Sequence, residues 1–343
     1  MPVSGSATDP EPEATRPATC PACDGPLARW RSVATSDPSL PGTFALRRCA
    51  RCGTAVTAGP APTFEEAHDG GSYATRRPRG SGLAAPLLRA FDRQRLRLVA
   101  RHAPRSPAST AADAPRLLDA GAGRGRFVAA AREAGWDAAG FEPAARGVEA
   151  AAAAYGVTLE RAGIDDAAVA DGSQDAVTLW HVLEHLDEPR AAVQRLGGWL
   201  RPGGVLLIGV PNLGSLQARI GGARWFHLDV PRHRTHFTPA GLRRIAEGAG
   251  LEVVAVHQVL LEHNPFGFWQ SLVNRLSGTT SYLYYLLKRT ERPRPRPLAV
   301  TLLALPLIPA AAAVEALAGA LGRGGTMALV ARRPVGPRDP TAR

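Results

Sequence analysis

The residues best placed to do chemistry are three glycines that follow a short apolar stretch ending in an acid. Asp119 closes that stretch, and Gly121, Gly123 and Gly125 follow at alternate positions. Glycines let the backbone turn tightly and approach a ligand closely. Because helical residues begin at Phe127, the segment predicts a strand, a glycine loop and a helix. Such a unit holds a nucleotide-like ligand beyond the carboxyl end of its strand.

The glycine spacing differs from the dinucleotide fingerprint G-x-G-x-x-G. The third glycine comes one residue early, and Arg126 occupies the fingerprint position. A second predicted strand ends at Glu142, about 20 residues after the glycines, where an acid can hydrogen-bond ribose hydroxyls. An arbitrary glycine-rich turn is the alternative interpretation, and Glu142 weakens it.

Four segments in order over residues 116–258 resemble the class I S-adenosylmethionine-dependent methyltransferases. They are D-x-G-x-G-x-G at 119–125, Glu142 after its strand, the run Trp180-His181-Val182-Leu183-Glu184-His185, and Leu200-Arg201-Pro202-Gly203-Gly204. The resemblance implies an α/β fold with a Rossmann-like, doubly wound, mostly parallel seven-stranded sheet. It also implies S-adenosylmethionine as cofactor.

The same resemblance implies the cofactor contacts. These would come from Asp119, Gly121, Gly123, Gly125, Glu142 and Trp180. Many relatives carry an acid that contacts adenine at the end of the third strand, whereas this chain has Gly163 and Ile164 there. The adenine contact then falls to the backbone or to Asp165.

All four cysteines lie in two C-x-x-C pairs, Cys20 with Cys23 and Cys49 with Cys52. Each pair can present two thiolates to one tetrahedral ion, so we predict one structural zinc with no open ligand position. Disulfides are the alternative, but we see no secretion signal. The second pair, followed by a Pro-Ala-Pro segment, resembles the zinc-ribbon leader of some bacterial methyltransferases from sugar and cell-envelope pathways.

Candidate bases occupy two places. His181 directly follows the fourth predicted strand and is expected to face the cofactor pocket, whereas His185 is expected to orient the loop. The second place is the segment Trp225–Thr238, in which three histidines, Asp229 and Arg232 fall within ten residues.

This second segment resembles the D-x-PRH-xx-HF segment of a methyltransferase subgroup often found with polysaccharide and lipid-carrier genes. We predict a substrate loop in which His233 is the general base, with His236 second, and Arg232 binds an anionic group. Further predicted substrate residues are Asp229, His227 and Tyr73; Tyr73 lies over the cofactor or simply packs. A surface charge cluster, a capping turn and a histidine-rich metal site are alternatives for the segment.

Composition and periodicity divide the chain of 343 residues. The predicted parts are a disordered segment 1–17, a zinc ribbon 18–60, a linker and helix 61–115, a methyltransferase core 116–258, an apolar helical insert 259–325, a last core strand 326–333 and a tail 334–343.

The insert contains an apolar run, Leu298–Leu321, whose one charged residue is Glu315. The run is long enough to span a bilayer. A single crossing would put the last strand on the wrong side, and Pro306 and Pro309 fit a re-entrant hairpin or an interfacial helix pair. We therefore expect a cytoplasmic protein with peripheral or re-entrant membrane association. A helix packed on the protein or at a dimer interface is the alternative, and the sequence predicts no oligomeric state.

The formal net charge of +11 suits an anionic partner. The expected function is methyl transfer to a small or carrier-linked acceptor, such as a sugar, lipid or quinone-like hydroxyl. An RNA methyltransferase is the first alternative, but Leu179–Val182 lacks the Asn/Asp-Pro-Pro-aromatic motif of enzymes that methylate base nitrogens, so nucleic acid is not the expected partner. A non-catalytic cofactor-binding scaffold is the second alternative.

Overall fold

The computed structural model describes residues 19–35, 42–59, 81–104, 114–262, 264–287 and 291–336. The predicted disordered segment 1–17 and Tyr73 lie outside these ranges. The strands are β1 (Leu27–Ala34), β2 (Thr43–Cys49), β3 (Ala55–Thr57), β4 (Arg116–Ala120), β5 (Asp137–Phe141), β6 (Gln174–Trp180), β7 (Leu200–Pro211), β8 (Thr235–His236), β9 (Glu252–His257) and β10 (Thr326–Arg332).

The helices in the described ranges cover both faces of the main sheet and the insert. They are α1 (Ser81–His102), α2 (Arg126–Glu133), α3 (Ala145–Tyr155), α4 (Pro189–Trp199), α5 (Leu216–Gly221), α6 (Pro239–Gly248), α7 (Asn264–Ser277), α8 (Tyr282–Leu287), α9 (Pro295–Ala304) and α10 (Ile308–Ala320). Helix α6 begins with a capped turn, in which the Thr238 side chain accepts a hydrogen bond from the backbone of Gly241 and Pro239 occupies the first turn.

The main sheet has the strand order β5-β4-β6-β7-β10-β9. Strands β5, β4, β6 and β7 are parallel, and β10 inserts antiparallel between β7 and β9. This arrangement confirms the Rossmann-like, mostly parallel prediction. The parallel strands end at one edge, and that edge carries the glycine loop, Glu142 and His181.

The predicted count of seven strands is wrong for the residues described. The expected third strand is reduced to one isolated bridge, in which Glu160 pairs in parallel with Phe141 at the edge of the sheet. The chain leaves the ladder directly after that bridge, because residues 164–166 form a turn closed by the bond from Ala167 N to the Gly163 carbonyl.

Apolar side chains pack on both faces of the sheet, as a doubly wound fold requires. One face buries Leu118, Leu179, Ile208 and Trp199, among others. The opposite face buries a second cluster that includes Leu117, Phe127 and Leu207. Alternate residues of each strand therefore face opposite layers of helices.

The cysteine-bearing segment is joined to the methyltransferase core by backbone pairing. Its antiparallel strands β1, β2 and β3 continue into β8, a short strand from the predicted substrate segment. The Thr238 hydroxyl also donates to the Cys52 carbonyl at 2.6 Å. The ribbon and the histidine-rich segment therefore form one four-stranded sheet, which the sequence did not predict.

The apolar run forms no hairpin. Helices α9 and α10 follow one another through a 3-10 turn at Leu305–Leu307, so that Pro295–Ala320 reads as one helical stretch of 26 residues, long and apolar enough to cross a membrane by length and composition. Pro306 and Pro309 lie in first turns, where proline is tolerated. This geometry contradicts the predicted re-entrant hairpin. Of the two predicted forms, the structure contains the pair of consecutive helices.

Candidate active site

The glycine loop after β4 combines tight packing with one open point. Gly121, Gly123 and Gly125 all have left-handed backbone angles, with φ of 70°, 56° and 71°. A Cβ at Gly121 would lie 2.5 Å from Val182, and one at Gly125 would lie 2.9 Å from Ala151, whereas one at Gly123 would meet nothing within 4 Å. The loop therefore presents its backbone to open space at Gly123, as close approach to a ligand requires.

Glu142 holds this loop from the neighbouring strand. Its carboxylate accepts hydrogen bonds from Gly123 N at 2.8 Å and from Ala144 N at 3.1 Å, and the residue is buried. The carboxylate thus fixes the loop backbone at Gly123, and the same group is the predicted partner of the ribose diol. Besides its predicted contact with the cofactor, Glu142 therefore holds the glycine loop in place.

Asp119 lies beneath the loop rather than on its open side. It is buried in an ion pair with Arg95, and its Oδ1 also accepts from the Thr178 hydroxyl at 2.7 Å. The Arg95 guanidinium stacks on the Phe127 ring, 3.7 Å from the centroid. This geometry supports a structural role for Asp119 and does not favour the expected direct cofactor contact.

A second ion-pair group lies beside the first. Arg126 contacts Asp92 at 3.2 Å and Glu262 at 3.3 Å. Burial raises the pKa of Asp92 to about 6 although Arg126 opposes the change. Asp92, Arg95 and Glu262 were not predicted as site residues, although the five arginines of α1 could have indicated an ion-pair network.

Trp180 and Asp165 occupy different parts of the sheet edge. Trp180 ends β6, and its indole N–H donates to Glu262 at 2.9 Å. Its ring lies against Gly209, where a Cβ would come within 2.4 Å. Asp165 is exposed on the turn that follows the isolated bridge.

His181 and Glu184 form a dyad directly after β6. Because the carboxylate can only accept, His181 Nδ1 donates to Glu184 Oε1, at 3.1 Å. Burial opposes ionisation of Glu184, but the hydrogen bond and charge of His181, together with His185 and His233, lower its pKa to about 2. His181 has a left-handed backbone, with φ of 55°, and its side chain is 20% exposed.

Strain of this kind is uncommon outside glycine and occurs often at functional sites. The backbone of His181 is held by the bond from its N–H to the Gly209 carbonyl at 2.9 Å. The ring is therefore oriented at the carboxyl edge by an ionised acid, an arrangement suited to proton acceptance.

The predicted substrate segment is a buried, hydrogen-bonded unit. Arg232 forms a two-point ion pair with Asp229, and its guanidinium also donates to the Tyr285 hydroxyl at 2.6 Å. Burial opposes the charge on Asp229, but Arg232 and His233 lower its pKa well below the usual range. Arg232 is thus already engaged by a carboxylate, which does not favour the predicted contact with an anionic substrate.

The histidines of this segment are brought together but are mostly enclosed. His233 Nδ1 donates to the His227 carbonyl at 2.9 Å, and its ring packs on His185 with centroids 4.7 Å apart. The Thr57 hydroxyl donates to the His233 carbonyl at 2.7 Å, so His236 Nε2, 3.0 Å away, must donate to that hydroxyl. Burial lowers the pKa of His236 to about 3.

A buried neutral imidazole whose Nε2–H supports the ribbon is poorly placed as a base. The geometry therefore favours His181 over the two residues that sequence reasoning ranked first, His233 and His236. The reason is burial of the segment under the ribbon strand β3, which pairs with β8.

The four cysteines converge on one point. Cys20 and Cys52 have Sγ atoms 3.5 Å apart, as do Cys23 and Cys49, and all four Sγ atoms lie within 4.8 Å of one another. Tetrahedral zinc with bonds of about 2.3 Å requires sulfur atoms separated by roughly 3.8 Å. The four thiols are free of disulfides, and their arrangement fits a zinc ion.

Comparison with known proteins gives one consistent result. A family model described as a methyltransferase domain matches residues 83–256. A ubiquinone biosynthesis O-methyltransferase of Bordetella avium is 30% identical over 186 residues, which are 51% of this chain and 75% of that protein. A protein of the same name from Xanthomonas axonopodis pv. citri is 32% identical over 132 residues, 36% of this chain and 53% of its own length.

A solved structure of an S-adenosylmethionine-dependent methyltransferase from Thermotoga maritima, a possible histamine N-methyltransferase, also aligns. The alignment has a TM-score of 0.45 and 17% identity and covers 74% of this chain and 96% of that one.

Proposed function

Because this chain belongs to the class I S-adenosylmethionine-dependent methyltransferases, we propose that it methylates a hydroxyl of a small acceptor, with His181 as the base. The observation that carries the proposal is the shared edge of the sheet. The open glycine loop, Glu142 and the His181–Glu184 dyad all lie at the carboxyl ends of adjacent parallel strands.

The cofactor residues follow from the loop geometry. The backbone at Gly123 approaches the methionine end, and Glu142 binds the ribose hydroxyls while its carboxylate keeps the loop in place. Trp180 bounds the pocket from the neighbouring strand, and the exposed Asp165 is assigned to the adenine end. Asp119 contributes indirectly, because its ion pair with Arg95 supports the floor of the loop.

When bound, S-adenosylmethionine would supply an electrophilic methyl group on a sulfonium, with a neutral thioether as the leaving group. His181 would take the acceptor hydroxyl proton at Nε2 as the hydroxyl oxygen is methylated. Glu184 fixes the ring at Nδ1 and stabilises the imidazolium that forms. General-base catalysis of this kind contributes about 10²–10⁴-fold.

The acceptor class rests on two observations. The relatives are named for an O-methylation in ubiquinone biosynthesis, which suggests a phenolic, quinone-like hydroxyl. In this chain Phe226, which lies in the predicted substrate segment, packs edge-on against Phe266 and Tyr284, with ring centroids 5.3 and 6.0 Å apart. An aromatic cluster in that segment is compatible with a planar apolar acceptor.

The predicted substrate segment lies beside the dyad. Arg234 N donates to the Glu184 carbonyl at 2.7 Å, and His185 donates to the Arg232 carbonyl at 3.1 Å. We assign this segment, with Asp229, Arg232 and His227, to shaping the acceptor side. We assign the four-cysteine site to a structural zinc that holds the ribbon against β8.

We place the reaction at the cytoplasmic membrane face, where a lipid-linked or quinone-like acceptor would be met. The apolar stretch Pro295–Ala320 supports this placement, since it is only 22% buried over its most apolar window. A helix of the same length in a soluble core would be mostly enclosed.

The test uses the purified full-length protein with labelled S-adenosylmethionine. Calorimetry measures cofactor binding, and a filter assay compares methyl transfer to a catechol with transfer to total RNA. We expect His181→Asn, which tolerates the left-handed backbone, to lower kcat about 10²–10⁴-fold with unchanged cofactor affinity. His102→Asn is the matched control. His102 ends helix α1 near Arg332, which pairs with β7 away from the carboxyl edge of the sheet, and its carbonyl accepts from the Arg332 side chain. Wild-type protein that does not bind the cofactor, or that methylates RNA alone, would overturn the proposal.

A further inference from the structure

The outer surface of helices α9 and α10 is aliphatic, and no other part of the chain that the structure describes covers it. Its exposed side chains include Leu302, Leu303, Leu307, Ile308, Leu317 and Leu321, with exposures from 41% for Ile308 to 80% for Leu303. We call these six residues the leucine face. Between residues 298 and 321 the one charged side chain is Glu315, and it points inward, where it is buried.

The inner surface of the same helices is fastened to the core. Glu315 accepts from Gly325 N at 2.6 Å and from Gln217 Nε2 at 3.2 Å. Trp269 of α7 donates to the Ala304 carbonyl at 2.7 Å. A Cβ at Gly319 would come within 2.5 Å of the Gln258 carbonyl oxygen, so the helix lies directly on the backbone.

These contacts exclude insertion of the stretch as a transmembrane span with the fold intact. Five residues separate the end of α10 at Ala320 from the start of β10, whose first residue, Thr326, pairs with Pro211 in the ladder. Crossing a bilayer would remove Glu315 from its partners and β10 from the centre of its sheet. The stretch therefore remains parallel to the surface on which it packs.

Positive charge flanks the leucine face at both ends. Arg292 and Arg296 are exposed just before it, and Arg323 is exposed just after it. Arginines beside an apolar helix face suit the headgroups of anionic lipids, which attract basic residues within a Debye length.

The chemistry of the face favours lipid over protein as its occupant. Protein interfaces are enriched in aromatic residues and carry roughly one hydrogen bond per 100–200 Å², whereas the six exposed side chains are all aliphatic and offer no hydrogen-bonding group. Acyl chains need no such group. We propose that the leucine face docks on an anionic phospholipid bilayer, with α9 and α10 lying flat in one leaflet and the flanking arginines at the headgroups.

The docking proposal extends the proposed function and rests on it, because docking serves the reaction only if the methyl acceptor is carried in the membrane. Gln217 connects the two regions, because it donates to Glu315 and its Oε1 accepts from the Trp225 indole at 3.1 Å. Trp225 begins the segment that we assign to the acceptor side. A single residue, Gln217, therefore connects α10 to that segment through hydrogen bonds at both ends.

The experiment is flotation of full-length protein with vesicles of phosphatidylcholine alone or mixed equally with phosphatidylglycerol. We expect binding to the mixed vesicles, weakened by salt. Leu303→Glu with Leu317→Glu should lower the partition coefficient about tenfold or more. Leu87→Glu is the matched control, since Leu87 is a 55% exposed leucine on helix α1, and its binding should equal that of the wild type.

Four results would overturn the docking proposal. The wild type could fail to float with either vesicle, or the double-glutamate variant could float as well as the wild type. It could form a dimer in light scattering that the double variant abolishes, which would make the face a contact between copies of the chain. A carboxyl-terminal tag protected from protease added outside sealed vesicles would show a span instead.

Failure of the docking and failure of the proposed function are separable. Cofactor binding and transfer to a water-soluble catechol are measured without vesicles and should be the same in the double-glutamate variant and the wild type. If those activities are present but flotation is absent, only the docking proposal fails.

Discussion

The ion pair beneath the glycine loop can be tested by a double-mutant cycle. Arg95 and Asp119 are both buried, and each is the charged partner of the other. Asp119→Asn keeps an acceptor for the Thr178 hydroxyl but leaves the guanidinium without its charge partner. Removing one member of a buried pair costs about 3–5 kcal/mol, so the free energy of unfolding should fall by that amount.

Arg95→Met with Asp119→Asn should recover much of that loss. Methionine keeps apolar contact with the Phe127 ring, on which Arg95 stacks, and no buried charge then remains. We expect a coupling energy of about 2–3 kcal/mol, measured by urea unfolding followed by far-ultraviolet circular dichroism on zinc-replete protein.

The control is Asp165→Asn, because Asp165 is exposed and surface substitutions change stability by about 0.5 kcal/mol or less. A cost below about 1 kcal/mol for Asp119→Asn, or additive single effects, would refute the buried-pair reasoning. A loss of cofactor affinity without a loss of stability would instead restore Asp119 as a direct cofactor ligand.

Three other predictions follow from the site and the insert. Glu142→Ala should weaken S-adenosylmethionine binding on the order of tenfold to a hundredfold, since it removes a charge-assisted acceptor; equal calorimetric affinity would contradict the assignment. Cys20→Ser should lose the metal by elemental analysis and lower the melting temperature, with cofactor affinity largely intact; metal-free wild type from anaerobic purification would exclude zinc. Burial raises the pKa of Glu315 from 4.5 to about 7, so its contribution to stability is complete below pH 4.5 and is lost as the pH rises through about 7. Glu315→Gln should flatten that decline in thermal melts, and an unchanged pH profile would show that Glu315 does not cause it.

Local sequence determined the parts that depend on neighbouring residues. The glycine loop and the last strand lie where the pattern predicted them, because turn chemistry and strand periodicity act over a few residues. The paired cysteines likewise indicated their shared site, since the C-x-x-C spacing itself presents two sulfur atoms together.

Tertiary structure decided which side chains remain accessible. Asp119 matches a cofactor motif in sequence, yet Arg95 from α1 covers it, and no local pattern encodes that contact across 24 residues. His236 and His233 form part of a dense titratable cluster, yet pairing of β8 with the ribbon buries them. The apolar run is long enough to cross a bilayer, but Glu315 and the placement of β10 between β7 and β9 hold it against the core. In each case the outcome depends on contacts between segments far apart in the chain, which composition and spacing cannot specify.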